Sequence, residues 1–256
     1  MSIGGKVAVV TGGGAGIGKA IAATLAEAGA NIGLLDIQEA SLNKTVLELQ
    51  ERGFKVSKYV ADVANADQVD LAFKGVIRDF GGVDILVNNA GIGHTGAVVG
   101  LSEEVWDRVI DVNLKGAFLC ARAAAKEMLS RGASGRIINI VSTAAENARV
   151  DSAPYSASKA GLVQFTKVLA LELGEQGITV NAVGPGLAFV DSLEAHPQSP
   201  EYHAAFLKEV PLARAASPRD IARAVLFLVS PDAEYINGQV LYVDGGYSAG
   251  KFSVKG

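Results

Sequence analysis

Val7-Ala8-Val9-Val10-Thr11-Gly12-Gly13-Gly14-Ala15-Gly16-Ile17-Gly18 sets a run of β-branched and small apolar residues directly against a cluster of glycines. An alanine-rich helical pattern from Lys19 to Ala28 follows at once. The stretch reads as strand, tight turn and helix start. Such a turn is suited to an anion: glycine lets the backbone bend sharply without a Cβ in the way, and the unpaired N–H groups of the helix start face the charge. The spacing is Gly12-x-x-x-Gly16-x-Gly18, not the G-x-G-x-x-G of the commonest dinucleotide fingerprint. A glycine-rich turn also serves close packing alone, so a second feature is needed. Asp36 supplies one. It ends the apolar run Asn31-Ile32-Gly33-Leu34-Leu35, near the roughly 20-residue offset of an acid that holds an adenosine ribose.

The 256 residues suit one large α/β domain, with 49% apolar and 20% charged residues giving an ordinary globular balance. A formal net charge of −4 offers nothing to nucleic acid or to an anionic membrane. Cys120 is the sole cysteine, so no internal disulfide can form and a reducing compartment fits. Among Ala117, Phe118, Leu119 and Ala121 it reads as a buried apolar side chain. The N-terminus lacks an apolar signal segment, and the longest uncharged stretch, Ile85 to Ser102, is too polar for a bilayer. A cytoplasmic protein is expected.

Strand-like and helical patterns then alternate to the end of the chain. A helix runs from Glu39 to Arg52 and closes at Gly53; Lys55 to Val60 is a third strand. Asn65, with Gln68 three residues on, reads as a capping-box start for a helix to Phe80. Val83 to Val87 is the fourth strand, and Ser102 opens one long helix to Ser130. Arg136 to Val141, Ile178 to Val183 and Gln239 to Val243 complete seven strands, with helices over 152–173 and from Ser217 onward. Continuous apolar strands alternating with helices predict a Rossmann-type, doubly wound parallel sheet in one domain, residues 1–256. The polar, proline-bearing stretch at about 187–210 is long enough to be a substrate lid. Ligands of such sheets sit beyond the carboxyl ends of the strands, where Thr11, Asp36, Asp62, Asn88, Asn89, Ser142 and Asn181 fall. Each taken singly could as well cap a helix.

The chemistry-bearing pattern is Tyr155-Ser156-Ala157-Ser158-Lys159. Residues i and i+4 share a helix face, so phenol and ammonium become neighbours. A free phenol, with a pKa near 10, is a poor proton shuttle at neutral pH, and a fixed cation is expected to bring it down. Ser142, one strand end away, offers a hydroxyl to a carbonyl or alkoxide oxygen. Tyr-x-x-x-Lys also arises by chance as an exposed helix pair.

With these motifs assembled, the chain resembles the short-chain dehydrogenase/reductases along essentially its whole length. The matching elements are Thr11-Gly12-x-x-x-Gly16-Ile17-Gly18, Asp62-Val63, Asn88-Asn89-Ala90-Gly91, Asn113, Ser142, Tyr155-x-x-x-Lys159 and Asn181-x-x-x-Pro185-Gly186. The resemblance implies that Tyr155 is the general acid-base, that Ser142 orients the substrate oxygen and that Lys159 binds the nicotinamide ribose and lowers the Tyr155 pKa. It further implies that Asn113, at a distortion of the long helix, holds a water relaying protons to Lys159. The implied cofactor set is Gly12, Ala15, Gly16, Ile17, Gly18, Asp36, Ile37, Asp62, Val63, Asn89, Ala90, Gly91, Tyr155, Lys159, Pro185, Gly186 and Ala188. No metal is expected.

Two departures from the family pattern stand out. Val190 occupies the place of a usual threonine, and Lys251 to Gly256 extend beyond the usual end. Relatives that prefer NADP carry Arg or Lys in the glycine turn or just after the second strand, where this chain has Gly13, Gly14, Ala15 and Ile37. With the Asp36 charge opposing a 2′-phosphate, the expected cofactor is NAD(H).

The expected substrate is a medium-sized secondary alcohol or ketone, held by 93–99, 144–151 and the lid. This wall mixes Val98, Leu187, Phe189, Leu193 and Phe206 with His94, Glu146, Asn147, Asp151 and His196. A 3-oxoacyl carrier-protein reductase is the enzymatic rival, disfavoured by Asp36 and by Glu172 and Glu175 on the Tyr155 helix. A non-catalytic NAD-sensing protein is the rival from another class. A homotetramer is expected from the resemblance, with Ala121, Ala123, Ala124 and Ala125 available either to a partner helix or to internal packing.

Overall fold

Every residue of Val7–Thr11 is buried, and the strand they form, β1, lies in the middle of the sheet. The computed structural model describes residues 1–188 and 205–250. Within them the chain runs β1, α1 (Gly16–Glu27), β2 (Asn31–Asp36), α2 (Glu39–Glu51), β3 (Val56–Val60), α3 (Ala66–Phe80) and β4 (Ile85–Asn88). It continues through α4 (Glu103–Ile110), a π-helical turn (Asp111–Lys115), α5 (Gly116–Ser130), β5 (Gly135–Ile140), α6 (Ala153–Leu173), β6 (Ile178–Pro185), α7 (Pro218–Val229) and β7 (Val240–Val243). The strands pair in parallel in the order β3-β2-β1-β4-β5-β6-β7.

Alternation along each strand divides the core between two faces. Ala8, Val10, Ile32 and Leu34 pack with Ile21 and Leu25 of α1 and Ile221 and Val225 of α7. Val7, Val9, Leu86, Ile137 and Val180 pack on the opposite side with Phe73 of α3 and Leu119, Cys120 and Met128 of α5. Two-sided cover explains the near-continuous apolar strands. The outer strands are the exceptions: residues of β3 alternate in exposure and none of β7 is fully buried, as edges require. Cys120 is buried, and desolvation pushes its thiol up to about 12, which leaves it inert at neutral pH.

The sequence-based boundaries shift at several ends. α1 begins at Gly16 and not Lys19, because the last glycines of the turn already have helical hydrogen bonding. β4 begins at Ile85 and not Val83. The expected single helix from 103 to 130 is interrupted by the π-turn centred on Asn113, which is where the family resemblance placed a distortion. The capping box at α3 is only half formed: Asn65 Oδ1 accepts from Gln68 N, but the Gln68 side chain accepts from Asp62 N instead of reaching back to Asn65. Ala121 and Ala124 are fully buried and Ala125 nearly so, so that face packs within the chain. The exposed apolar side chains of α5 and α6 are Phe118, Leu129, Val168 and Leu171. The expected lid is described only at 187–188 and 205–210; Phe189, Val190, Leu193 and His196, like the 251–256 tail, lie outside the described residues. No helix among the described residues is long and apolar enough to cross a membrane.

Candidate active site

The sheet order reverses between β1 and β4, and the loops leaving these two strands flank a cleft of about 450 Å³. Twelve of the residues expected to hold a cofactor line it: Gly12, Ala15, Gly16, Ile17, Gly18, Asp36, Ile37, Asp62, Val63, Asn89, Ala90 and Gly91. The loops are locked to one another. Thr11 Oγ1 accepts from Asn89 N and Ala90 N, both at 3.0 Å, while Asn89 Nδ2 donates to the carbonyls of Thr11 (3.0 Å) and Gly12 (3.1 Å). Gly12 has φ +63, and a Cβ at Gly18 would lie 2.0 Å from the Gly12 carbonyl oxygen. The turn is therefore closed to side chains and leaves only backbone facing the cleft, a cradle that fits the phosphates of a dinucleotide.

Asp36 is fixed at the end of β2. Its Oδ2 accepts from Gly14 N and its Oδ1 from Gln38 N, each at 2.9 Å. A negative charge is thus held rigidly beside the glycine turn, at the edge of the cleft. Asp62 Oδ2 pairs with Arg108 Nη1 at 3.0 Å, and both residues line the cleft. Gln38 and Arg108 were missed by sequence reading. Nothing local marks Arg108, which reaches the cleft only because α4 packs beside the β3–α3 turn.

The second group of expected residues gathers around the end of β5. Lys159 is 4% exposed, and its Nζ donates to the Ile140 carbonyl at 2.8 Å. Burial without a carboxylate partner pushes its ammonium down to about 8. The same Nζ stands 5.7 Å from the centroid of the Tyr155 ring. Tyr155 does not follow the expectation of a lowered pKa. Desolvation raises its phenol; a hydrogen bond from Ser142 and the positive charge of Arg149 act against that rise. Ser142 also caps the short turn at 143–145 by accepting from Ala144 N at 3.1 Å.

Asn113 is 1% exposed, and its side chain is fully committed. Oδ1 accepts from Ile92 N (2.8 Å), while Nδ2 donates to Ile92 O (2.9 Å) and to Ser158 Oγ (3.0 Å). The side chain clamps the loop after β4 against α6 instead of presenting a free amide to a water. A Cβ at Gly91 would lie 3.2 Å from Asn113 Oδ1 and 3.4 Å from Lys159 Nζ, so the cleft and this polar group adjoin.

Other expected positions tie strands and loops together. Asn88 Nδ2 donates to Asn139 Oδ1 and to the Ala117 carbonyl, and Asn181 bridges Ile236 O and Gln239 N to seat β7. Pro185 ends β6, Gly186 N donates to Val243 O, and Ala188 pairs with Ala216. These three continue from the β5–β6 side of the site and do not line the cleft itself.

The chain is similar to known proteins over nearly its whole length. A sequence model of the family described as Enoyl-(Acyl carrier protein) reductase matches residues 12–248. The chain is 43% identical over 248 residues to (2S)-[(R)-hydroxy(phenyl)methyl]succinyl-CoA dehydrogenase subunit BbsD of Thauera aromatica, covering 97% of this chain and 98% of that one. It is 42% identical over 242 residues to the 3-oxoacyl-[acyl-carrier-protein] reductase FabG of Staphylococcus aureus, covering 94% and 97%. Among solved structures, actinorhodin polyketide ketoreductase with NADPH superposes with a TM-score of 0.90 at 38% identity, covering 94% of this chain and 97% of the other.

Proposed function

We propose that this chain, which belongs to the short-chain dehydrogenase/reductase family and is an oxidoreductase of CH–OH and keto groups, works with NAD(H) on a secondary alcohol or ketone. The observation that carries the reading is the meeting of two clusters: a glycine cradle ending in a fixed Asp36, and Ser142, Tyr155 and Lys159 at the adjoining strand end.

When bound, the nicotinamide cofactor accepts or supplies hydride at the substrate carbon. The chain's own residues handle the oxygen. Tyr155 exchanges the proton with it, and the single Ser142 hydroxyl hydrogen, directed at the phenol in the cofactor-free chain, turns to that substrate oxygen. Lys159 keeps a positive charge close to the ring. Because its ammonium lies at about 8, that charge is held at neutral pH yet can give up a proton without a large cost.

Asp36 favours NAD(H) because a 2′-phosphate would meet a carboxylate that two backbone donors prevent from moving. The second reading, a 3-oxoacyl thioester reductase, is favoured by the 42% identity to FabG and by the thioester in the name of the Thauera relative. A panel of secondary alcohols, ketones and 3-oxoacyl thioesters, followed by NADH and NADPH absorbance, separates the two. Faster turnover with NADPH at limiting cofactor contradicts the NAD(H) assignment. Cofactor binding without any turnover favours a sensor. We also propose a homotetramer, for which Phe118, Leu129, Val168 and Leu171 supply apolar surface.

A further inference from the structure

Arg149 lies on the segment between β5 and α6, among the residues that lead from Ser142 to Tyr155. One face of its guanidinium rests on the Phe206 ring, 5.3 Å from the centroid, and Phe206 in turn stacks on Tyr247 at 4.6 Å. Nη2 donates to the hydroxyl of the buried Thr143 at 3.2 Å. The remaining donors are unmatched: Nε is buried without a partner, and Nη1 makes no hydrogen bond to a described residue. No described carboxylate comes within ion-pair distance, although six other arginines of the chain have such a partner. Glu146, three residues away, is turned to the Tyr242 phenol.

An immobilised cation with spare donors has a cost unless an anion arrives, because an unmet buried donor carries its full desolvation penalty. A planar fork flanked by an aromatic ring is the geometry that receives a carboxylate through two parallel hydrogen bonds. Arg149 bonds the hydroxyl of Thr143, the residue after Ser142, so an anion seated on it lies beside the Ser142–Tyr155 end of the site, within reach of a molecule whose oxygen meets those two side chains.

From this geometry we propose that Arg149 is a specificity-determining residue that binds the carboxylate of the substrate, and that the substrate class is hydroxy acids and the matching oxo acids. The proposal rests on the oxidoreductase reading above and adds the chemical class to it. In the reducing direction the oxo acid gains a hydride at its carbonyl carbon and a proton at its oxygen, while NADH becomes NAD; the carboxylate is unchanged.

The test compares 3-oxobutanoate, 4-oxopentanoate and 5-oxohexanoate with their ethyl esters, in the native protein and in Arg149→Gln and Arg149→Lys. The ratio of kcat/KM for each acid over its ester is the readout. Any effect of Arg149 on the Tyr155 phenol acts on acid and ester alike and cancels in that ratio. For at least one chain length the native protein is expected to favour the acid. Arg149→Gln should lower that ratio by roughly 10- to 100-fold, chiefly through KM, with Arg149→Lys in between. The proposal is overturned if the native protein shows no acid preference at any chain length, or if the ratio survives in Arg149→Gln. The acids are also titrated against the protein–NADH complex by NADH fluorescence. If no acid or ester turns over, the hydride-transfer reading fails on its own. Acid binding lost in Arg149→Gln then still supports the anion site, and binding unaffected by the substitution overturns it.

Discussion

The Lys159 ammonium stands 5.7 Å from the centroid of the Tyr155 ring and gives its hydrogen bond elsewhere, to the Ile140 carbonyl at 2.8 Å. In this state the pair is not a phenol bonded to an ammonium. It is a buried cation facing the ring, with a pKa pushed down to about 8, beside a phenol whose own pKa burial has raised. Ser142 and Arg149 pull that phenol back toward ionisation, so the assistance expected from Lys159 comes from other groups.

Lys159 consequently weakens the fold at neutral pH. The unfolded chain keeps the lysine proton up to about 10.5, while the folded chain releases it near 8. Between those values the unfolded state holds more protons, so stability rises with pH there; below pH 8 the full penalty, about 3 kcal/mol, is present. Lys159→Met removes the penalty and loses a hydrogen bond worth about 1 kcal/mol. Chemical denaturation of the cofactor-free protein should show the variant more stable by about 2 kcal/mol at pH 7, without the native protein's gain from pH 8 to 10. A variant less stable at pH 7 contradicts this.

Gly18→Ala should damage the cradle. Its Cβ would lie 2.0 Å from the Gly12 carbonyl oxygen and 2.6 Å from Asn89 Nδ2, and neither atom has room to retreat because Thr11 and Ala90 hold both loops. A loss of about 3 kcal/mol in stability is expected, together with loss of cofactor binding. Thermal denaturation and NADH fluorescence check both.

Asp36→Ala leaves Gly14 N and Gln38 N without their acceptor and removes the charge that opposes a 2′-phosphate. The ratio of kcat/KM with NADPH to that with NADH should rise roughly 100-fold, mostly through the KM values. An unchanged ratio would place cofactor choice outside Asp36.

Much of the fold and of the cradle is legible in the sequence because strand ends are marked locally. The apolar run into Gly12, the acid ending at Asp36 and the asparagines after Val87 each carry their meaning within a few residues. The contacts that come from tertiary packing are not marked. Arg108 meets Asp62 across 46 positions, and the Ile140 carbonyl that holds Lys159 belongs to a different element. Arg149 reads in sequence as one more polar loop residue, and only its seat on Phe206 and the lack of a carboxylate partner among the described residues distinguish it. The π-turn at Asn113 is placed by the family resemblance and by no hydrophobic period, because the helical pattern runs on through it. The capping box at Asn65 is half formed for a similar reason: Asn65 N already donates to the Asp62 carbonyl, and the Gln68 side chain accepts from Asp62 N.

The proposed chemistry comes down to one phenolic hydroxyl. The most direct measurement is NADH turnover on an accepted ketone by Tyr155→Phe, alongside NADH binding to the same variant. The expected result is a fall in kcat of about a thousandfold or more, with NADH still bound. Turnover kept within a few-fold of the native protein would show that another group moves the proton, and the assignment of Tyr155 would be wrong.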